Sequence, residues 1–157
     1  MMDLTRKAQQ VFSQDLYAME VTGVKIERVE YLEEEGKGKG SALCSVDLKA
    51  EHRNAVGGVM GGVLFTLADL AFAAAANSEC LAKGEGLAWV SLSSDIQYLA
   101  QPKDEHVEAK AECVRQGRGY CVYQIMIRDG LGNGVALVTT SGARVNKLKC
   151  SGFHRKL

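Results

Sequence analysis

The sequence predicts an α+β domain in which an antiparallel sheet curls around one long apolar helix. Three observations carry this reading. Residues 63–76, "VLFTLADLAFAAAA", are apolar except for Thr66 and Asp69, the composition of a helix enclosed on nearly every side. Before and after this helix, runs of residues alternate between apolar and polar, the period of strands with one buried face. The later runs are joined by short glycine-bearing turns, "RQGRG" and "DGLGNG", which favour antiparallel neighbours.

Each element follows from its residues. Asp3 can cap a first helix, whose apolar residues Leu4, Ala8, Val11, Phe12, Leu16 and Met19 recur at helical spacing. Val24 to Tyr31 then reads as a strand. Its phase slips between Ile26 and Val29, the mark of a bulge. "GKGKG", residues 36–40, turns the chain into a second strand with Ala42, Cys44, Val46 and Leu48 on its inward side. The glycine spacing there is wrong for a dinucleotide fingerprint. The long helix follows and is expected to reach about Ala82, where "KGEG" ends it. Four strands complete the chain. Residues 87–99 alternate through Val90, Leu92, Ser94, Ile96 and Tyr98, and residues 105–115 through Val107, Ala109, Ala111 and Cys113. The last two strands cover Tyr120 to Arg128 and Val135 to Val145. A sheet covers only part of an enclosed helix, so a second subunit is the natural cover for the rest.

Composition narrows the function classes. The 157 residues suit a single domain, 1–157, with no linker or repeat. The 46% apolar and 24% charged content is that of a soluble globular protein. Positive and negative side chains balance at 19 each, which leaves no basic excess for a nucleic-acid partner. The basic end, "KLKCSGFHRKL", reads as a soluble tail. The apolar run is too short to span a bilayer and would hold Asp69 near its centre. No membrane partner is expected. Five cysteines, an odd number, lack the two-residue spacing of redox and zinc motifs. With no N-terminal signal, they suggest a reducing cytoplasm. His52, His106 and His154 lack metal-ligand spacing, so no metal is expected. There is no nucleophile elbow and no phosphate loop.

The candidate chemistry lies in "EHRNAVGGVMGGVLFTLADLAFAAAAN", residues 51–77. Burying an ionised carboxylate alone is expensive. Asp69 is therefore satisfied by Thr66 or a backbone donor, or it lies on a wet face, or it serves as a general base or nucleophile in a cleft. Four glycines fall within residues 57–62. Gly57 and Gly58 suit a turn. Gly61 and Gly62 open the helix, where the first N–H groups have no internal partner and the dipole is positive. They either pack a tight turn or admit a ligand to those groups, an arrangement suited to a carbonyl oxygen gaining negative charge. Gly61 and Asp69 stand eight positions apart, or ~12 Å along one helix. Reacting groups must come within about 3–3.5 Å. One helix can scarcely serve both roles, whereas two helices from two subunits can.

The order His52, Asn54, Gly57, Met60-Gly61-Gly62, Asp69 resembles the signature of the hotdog-fold thioesterases of the phenylacetate-degradation type. That signature reads His-x-Asn-x-x-Gly-x-x-His-Gly-Gly, then an acidic residue on the helix. "WVSLSSDIQYLAQP", residues 89–102, resembles the strand that follows in the family and ends at a proline like Pro102. The match spans about residues 20–146 of the chain.

The resemblance implies a sheet wrapped on one long helix, paired into a homodimer or a dimer of dimers. It implies cleavage of acyl-coenzyme A, with no cofactor beyond that substrate. Asn54 and the Gly61 N–H would hold the thioester carbonyl, with Gly62 and Met60 beside it. Asp69 of the other subunit would activate water or attack directly. Ser91 matches a serine that positions the water, and is otherwise an ordinary strand hydroxyl. Arg115 and Arg118 in "VRQGRG" would either meet coenzyme A phosphates, with Arg118 the candidate, or sit on a solvated turn. Phe65, Phe72, Trp89 and Tyr98 would shape the acyl pocket.

Met60 departs from the pattern, because the family usually has histidine there and methionine cannot donate a hydrogen bond. This leaves two rivals: a non-catalytic acyl-coenzyme A binding or sensing protein, and a hotdog dehydratase or hydratase, whose chemistry wants that histidine.

Overall fold

The computed structural model describes residues 3–34 and 37–148. The tip of the first hairpin and the tail from Lys149 onward, with Cys150 and His154, lie outside the described residues.

Helix α1 spans Leu4–Phe12, and the Asp3 carboxylate caps it by accepting from the Arg6 N–H at 2.9 Å. The helical spacing that continues to Met19 does not extend this helix. The Ser13 hydroxyl donates to the Gln10 carbonyl at 2.7 Å, a local bond that competes with helix propagation. The chain turns and re-enters as a π-helical segment, Tyr17–Thr22, closed by Gly23 at φ 80°. The wider turn rotates its faces away from the expected ones and leaves Tyr17 and Val21 exposed.

Strands β1 (Lys25–Glu34) and β2 (Lys37–Asp47) form an antiparallel hairpin. The register shifts between Ile26 and Arg28, where the sequence phase slips. After a 3-10 turn at Ala50–His52 comes helix α2, Gly61–Ala76, and then helix α3, Ser78–Ala82. The helix expected as one piece is therefore two, broken at Asn77. That side chain is 1% exposed. Its amide donates to the carbonyls of Ala73 and Trp89, both at 3.0 Å. Its oxygen accepts from the N–H groups of Ala88 and Trp89, both at 2.9 Å. Asn77 thus fastens the end of the long helix to the start of the next strand.

Strands β3 (Leu87–Tyr98), β4 (His106–Gln116), β5 (Tyr120–Asp129) and β6 (Gly134–Leu148) complete one six-stranded sheet in the order β1-β2-β4-β5-β6-β3. Every neighbouring pair is antiparallel. The inward residues of β2 and β4, from Ala42 to Val46 and from Val107 to Ala111, are buried as their alternation predicts, as is Leu48 just past β2, while Cys113 near the end of β4 is half-buried. Strand β3 departs from its expected alternation. Register shifts at Leu87/Trp89 and at Ser91/Ser93 bury Ala88 and Trp89 together and leave Leu92 and Tyr98 on the outside. Among the described residues its outer edge has no strand neighbour.

Helix α2 presses Leu64, Leu67, Ala68, Leu70, Ala71, Phe72 and Ala74–Ala76 into the core. Phe72 meets Tyr123 edge to face, with ring centroids 5.6 Å apart. A Cβ at Gly142 would lie 2.7 Å from the Phe72 ring and 2.8 Å from the Cys121 sulfur, so β6 needs glycine there for the helix to seat. The remaining face of α2 carries Gly62, Phe65, Thr66, Asp69 and Ala73, all exposed or half-buried. Among the described residues no helix is long and apolar enough to cross a membrane.

Candidate active site

Asp69 sits two turns into α2 on this uncovered stripe rather than inside the core. The Thr66 hydroxyl donates back to the Gly62 carbonyl at 2.8 Å and does not serve Asp69. Among the described residues no hydrogen bond or ion pair holds the Asp69 carboxylate. It faces a cleft of about 460 Å³. The floor is Phe65, Thr66, Asp69, Leu70 and Ala73 of α2, and the wall is Asp15, Leu16, Tyr17 and Ala18. Asp69 reaches solvent in the single chain, yet the protein around it displaces enough water to push its carboxyl above the usual carboxylate range. That favours proton uptake, the property a general base needs.

The other half of the candidate chemistry is built by the loop before α2. The Oδ1 of Asn54 accepts from the N–H groups of Val56 at 3.1 Å and Gly58 at 3.0 Å. The Asn54 N–H donates to the Gly58 carbonyl at 2.8 Å. Asn54 is therefore a turn former, as its position before glycines allows. The two N–H donors identify its oxygen, so its Nδ2 is left as a donor without a partner among the described residues. Gly57 takes φ 82° at the tip of this turn, a conformation that favours glycine. His52 is buried and anchors the loop, its Nδ1 accepting from the Lys49 N–H at 3.0 Å. Its Nε2 then carries the proton and has no partner among the described residues.

Met60 is the N-cap of α2, exposed and without a side-chain cap bond. The N–H groups of Gly61 and Gly62 that follow lack intrahelical partners by position. A Cβ on Gly61 would lie 2.7 Å from the Tyr98 hydroxyl oxygen, so glycine lets that ring close over the helix start. A second cleft of about 430 Å³ opens here, lined by Val59, Gly61, Leu64, Tyr98, Leu99, Ala100 and Gln101. The Gln101 side chain braces it by accepting from the Val59 N–H at 2.8 Å.

The two clefts share no lining residue. Within one chain Met60, Gly61 and Gly62 run consecutively into α2, Asn54 closes the loop before them, and Asp69 stands apart, with ~12 Å of helix between it and Gly61. Ser91 lies exposed on the edge strand and lines neither cleft. Arg118 is exposed on the β4–β5 turn. The same end of the sheet carries Trp89, which Asn77 ties to the far end of α2. Of the expected pocket-shaping residues, Phe65 and Tyr98 line the clefts. Phe72 and Trp89, at 1% and 3% exposure, belong to the core. Sequence reasoning missed Asp15, Tyr17 and Gln101. Only Leu16 among the wall residues gave a signal, as one apolar position of an expected helix.

His106 joins Asp47 at 2.7 Å and Glu108 at 3.2 Å, a half-exposed ion-pair network that holds its imidazolium above the usual range. Among the described residues no three histidine, cysteine or acidic groups lie together as a metal site.

Comparison with known proteins gives this arrangement a context. The profile of the thioesterase superfamily matches residues 56–136. The structure is similar to that of the Escherichia coli PaaI protein from the phenylacetic acid degradation operon, with 28% identity, coverage of 92% of this chain and 98% of the other, and a TM-score of 0.71. It is also similar to a hypothetical thioesterase protein of Streptococcus pneumoniae solved with coenzyme A. There the identity is 27%, the coverage 90% and 99%, and the TM-score 0.67. An Archaeoglobus fulgidus protein named provisionally as an esterase is 32% identical over 110 residues, 69% of this chain and 68% of its own length. The antiparallel sheet around a long helix is the hotdog fold.

Proposed function

We propose that this chain, which belongs to the thioesterase superfamily, hydrolyses an acyl-coenzyme A thioester to the free acid and coenzyme A. The single observation that carries the reading is the division of α2. Its N-terminus offers unpartnered N–H groups shortly after the loop that Asn54 closes, and its middle offers a carboxylate that burial pushes above the usual range. The first half fits a carbonyl oxygen gaining charge. The second fits a water to be deprotonated, or a carbonyl carbon to be attacked.

The two halves cooperate across a homodimer. In each site, Asn54 Nδ2 and the Gly61 N–H of one protomer hold the thioester oxygen, and Asp69 of its partner takes the proton of the attacking water. The carbon–oxygen bond forms, the oxyanion is held, and collapse breaks the carbon–sulfur bond. The thiolate leaves and takes up a proton. Direct attack by Asp69 would give an anhydride that water then opens, and the geometry serves either course.

The open stripe of α2 and the β3 edge, which has no strand neighbour among the described residues and leaves Leu92 exposed, support the dimer, because exposed edges and apolar faces seek partners. A tetramer of paired dimers is the expected larger assembly. Coenzyme A in the pneumococcal relative supports the substrate class. We place Ser91 as a candidate for positioning the water and Arg118 for meeting the phosphates. Among the described residues Cys44, Cys80, Cys113 and Cys121 form no disulfide, which fits a reducing cytoplasm.

The test is a panel of aryl, short-chain and long-chain acyl-coenzyme A compounds read by free-thiol release, on the wild type and on Asp69→Asn. Turnover that falls at least ~100-fold in the variant supports the reading. A folded variant with undiminished turnover removes Asp69 from the chemistry. Met60 favours a second reading, an acyl-coenzyme A binding or sensing protein. Tight binding by calorimetry without thiol release would establish that one. Hydration of an enoyl thioester without hydrolysis would instead support a hydratase.

A further inference from the structure

The wall of the Asp69 cleft contains a carboxylate for which the proposed reaction has no use. Asp15 lines the cleft together with Leu16, Tyr17 and Ala18. An aspartate just before a helical segment ordinarily caps it. Here the N-cap of the π-helical segment is Leu16, and no side chain caps it. The main chain of Asp15 is engaged, its N–H donating to the Phe12 carbonyl and its carbonyl accepting from the Met19 N–H, both at 2.9 Å. Its side chain is not. Among the described residues no hydrogen bond or ion pair holds the Asp15 carboxylate. Its neighbour in charge is Asp69, across the cleft.

The other groups that reach into the space are apolar or neutral. Phe65 and Leu16 are partly exposed there, Tyr17 presents its ring, and Ala73 and Leu70 close the floor. In the reading proposed above, the thioester carbonyl must sit at Asp69, so the acyl group behind it lies against this wall. A volume of about 460 Å³ is in the range of a small-molecule pocket. A group entering it meets an apolar surface and a second, unneutralised carboxylate.

We propose that Asp15 is a specificity-determining residue, a charge filter that rejects acyl groups ending in a carboxylate and admits neutral ones of the same length. Like charge set against a wrong partner is an efficient way to discriminate, because the penalty falls on that partner alone. Burial and the charge of Asp69 both push the Asp15 carboxyl upward. A further carboxylate in the same cleft would face the same cost.

This inference rests on the proposed thioesterase site and is tested separately from it. The probes are butyryl- and succinyl-coenzyme A, and valeryl- and glutaryl-coenzyme A, pairs that match in chain length. The wild type should favour the neutral member of each pair in kcat/KM. In Asp15→Asn the ratio of carboxylate-ended to neutral kcat/KM should rise at least ~10-fold. In Glu20→Gln, which removes a charge from the same segment but off the cleft, the ratio should stay at the wild-type value. Thermal melting checks that each variant is folded. Calorimetric binding of the same pairs to Asp69→Asn, with and without Asp15→Asn, reads the filter even if Asp69 is not the catalyst. An unchanged ratio in both measurements overturns the filter and leaves the thioesterase reading standing. A pH profile that shifts equally for all substrates, with the ratio unchanged, would make Asp15 a tuner of Asp69 instead and also overturns it. Absence of any thiol release, with the binding ratio still dependent on Asp15, would sink the hydrolase reading and keep the filter.

Discussion

Two crippled versions of this protein should repair one another. The first is Asp69→Ala, which removes the carboxylate and leaves a good helix former. The second is Asn54→Asp. An aspartate keeps the oxygen that accepts from Val56 and Gly58, so the turn survives, but it loses the Nδ2 donor. The magnitude follows from the helix. Gly61 and Asp69 lie on the same α2, ~12 Å apart at 1.5 Å per residue, and reacting atoms must approach within about 3–3.5 Å. The gap is three to four times too large for one chain, so each site must draw on two. Each homodimer should then be nearly dead, by at least ~100-fold for the lost base and on the order of 100- to 1,000-fold for the lost oxyanion donor. Equal amounts mixed under subunit exchange make about half the dimers hybrid, each with one intact site of two, so roughly a quarter of wild-type activity should return. The assay is thiol release before and after exchange, with exchange verified by mass-tagged subunits. Mutants mixed without exchange are the control and should stay dead. Verified exchange that restores nothing would mean that Asn54 and Asp69 serve one site within one chain, and the helix-distance argument would be wrong.

Three further outcomes are expected. Met60→His should raise turnover on at least one acyl-coenzyme A by about 2- to 10-fold, the range of one neutral hydrogen bond, because an imidazole at this exposed N-cap adds a donor beside the Gly61 N–H. A folded variant slower on every substrate would show instead that methionine is fitted to this pocket. Asn77→Ala should cost about 2–6 kcal/mol in urea unfolding, since it strands the buried N–H groups of Ala88 and Trp89 at about 1–3 kcal/mol each; a loss below ~1 kcal/mol would refute that role. Finally, the raised carboxyl of Asp69 fixes a sign. Turnover should rise with pH through a value above the ordinary carboxylate range, because the ionised form works. Stability should move the other way. The folded state holds the proton more tightly than the unfolded chain, so ionisation costs stability between the ordinary carboxylate pKa and the raised one. Asp69→Asn should therefore melt higher than the wild type at neutral pH, and the difference should vanish in acid below both values. A variant that melts no higher at neutral pH would mean that burial does not strain Asp69.

What the sequence made legible depends on how uniform each residue's surroundings are. Strands β2 and β4 lie inside the sheet with one face on α2, so strict alternation described them, and Ala42 to Leu48 and Val107 to Ala111 are buried as read. Strand β3 is an edge with two register shifts, and each shift exchanges inside for outside. Leu92 therefore read as core and lies exposed, while Trp89 read as pocket and lies buried. The π-helical segment fails for a related reason. Its period differs from 3.6, so Leu16 and Met19 looked like a continued helix, and the turn that aims Asp15 and Tyr17 into the Asp69 cleft left no periodic trace. The candidate residues themselves were legible because Asn54, Met60, Gly61 and Asp69 fall in one continuous stretch, where chemical type and spacing do not depend on the fold around them.

The same contrast explains why a carboxylate sits in so apolar a helix. Leu64, Leu67, Ala68, Ala71, Phe72 and Ala75 bind α2 to the sheet, and that burial, with the Asn77 clasp at its end, fixes the helix in place. Its outer stripe is then not needed to seat the helix on its own sheet. Gly62, Phe65, Thr66, Asp69 and Ala73 form a line that the sheet does not reach. A single helix stabilised entirely on one face can hold a poorly solvated carboxylate on the other without risk to the fold, because packing energy and site strain arise from different residues. The consequence is directional. Substitutions on the sheet side, such as Phe72→Ala, should lower stability by about 3–5 kcal/mol, whereas substitutions on the stripe should change chemistry and assembly and, at Asp69, raise stability at neutral pH rather than lower it. A helix whose two faces answered to the same perturbation would contradict this division.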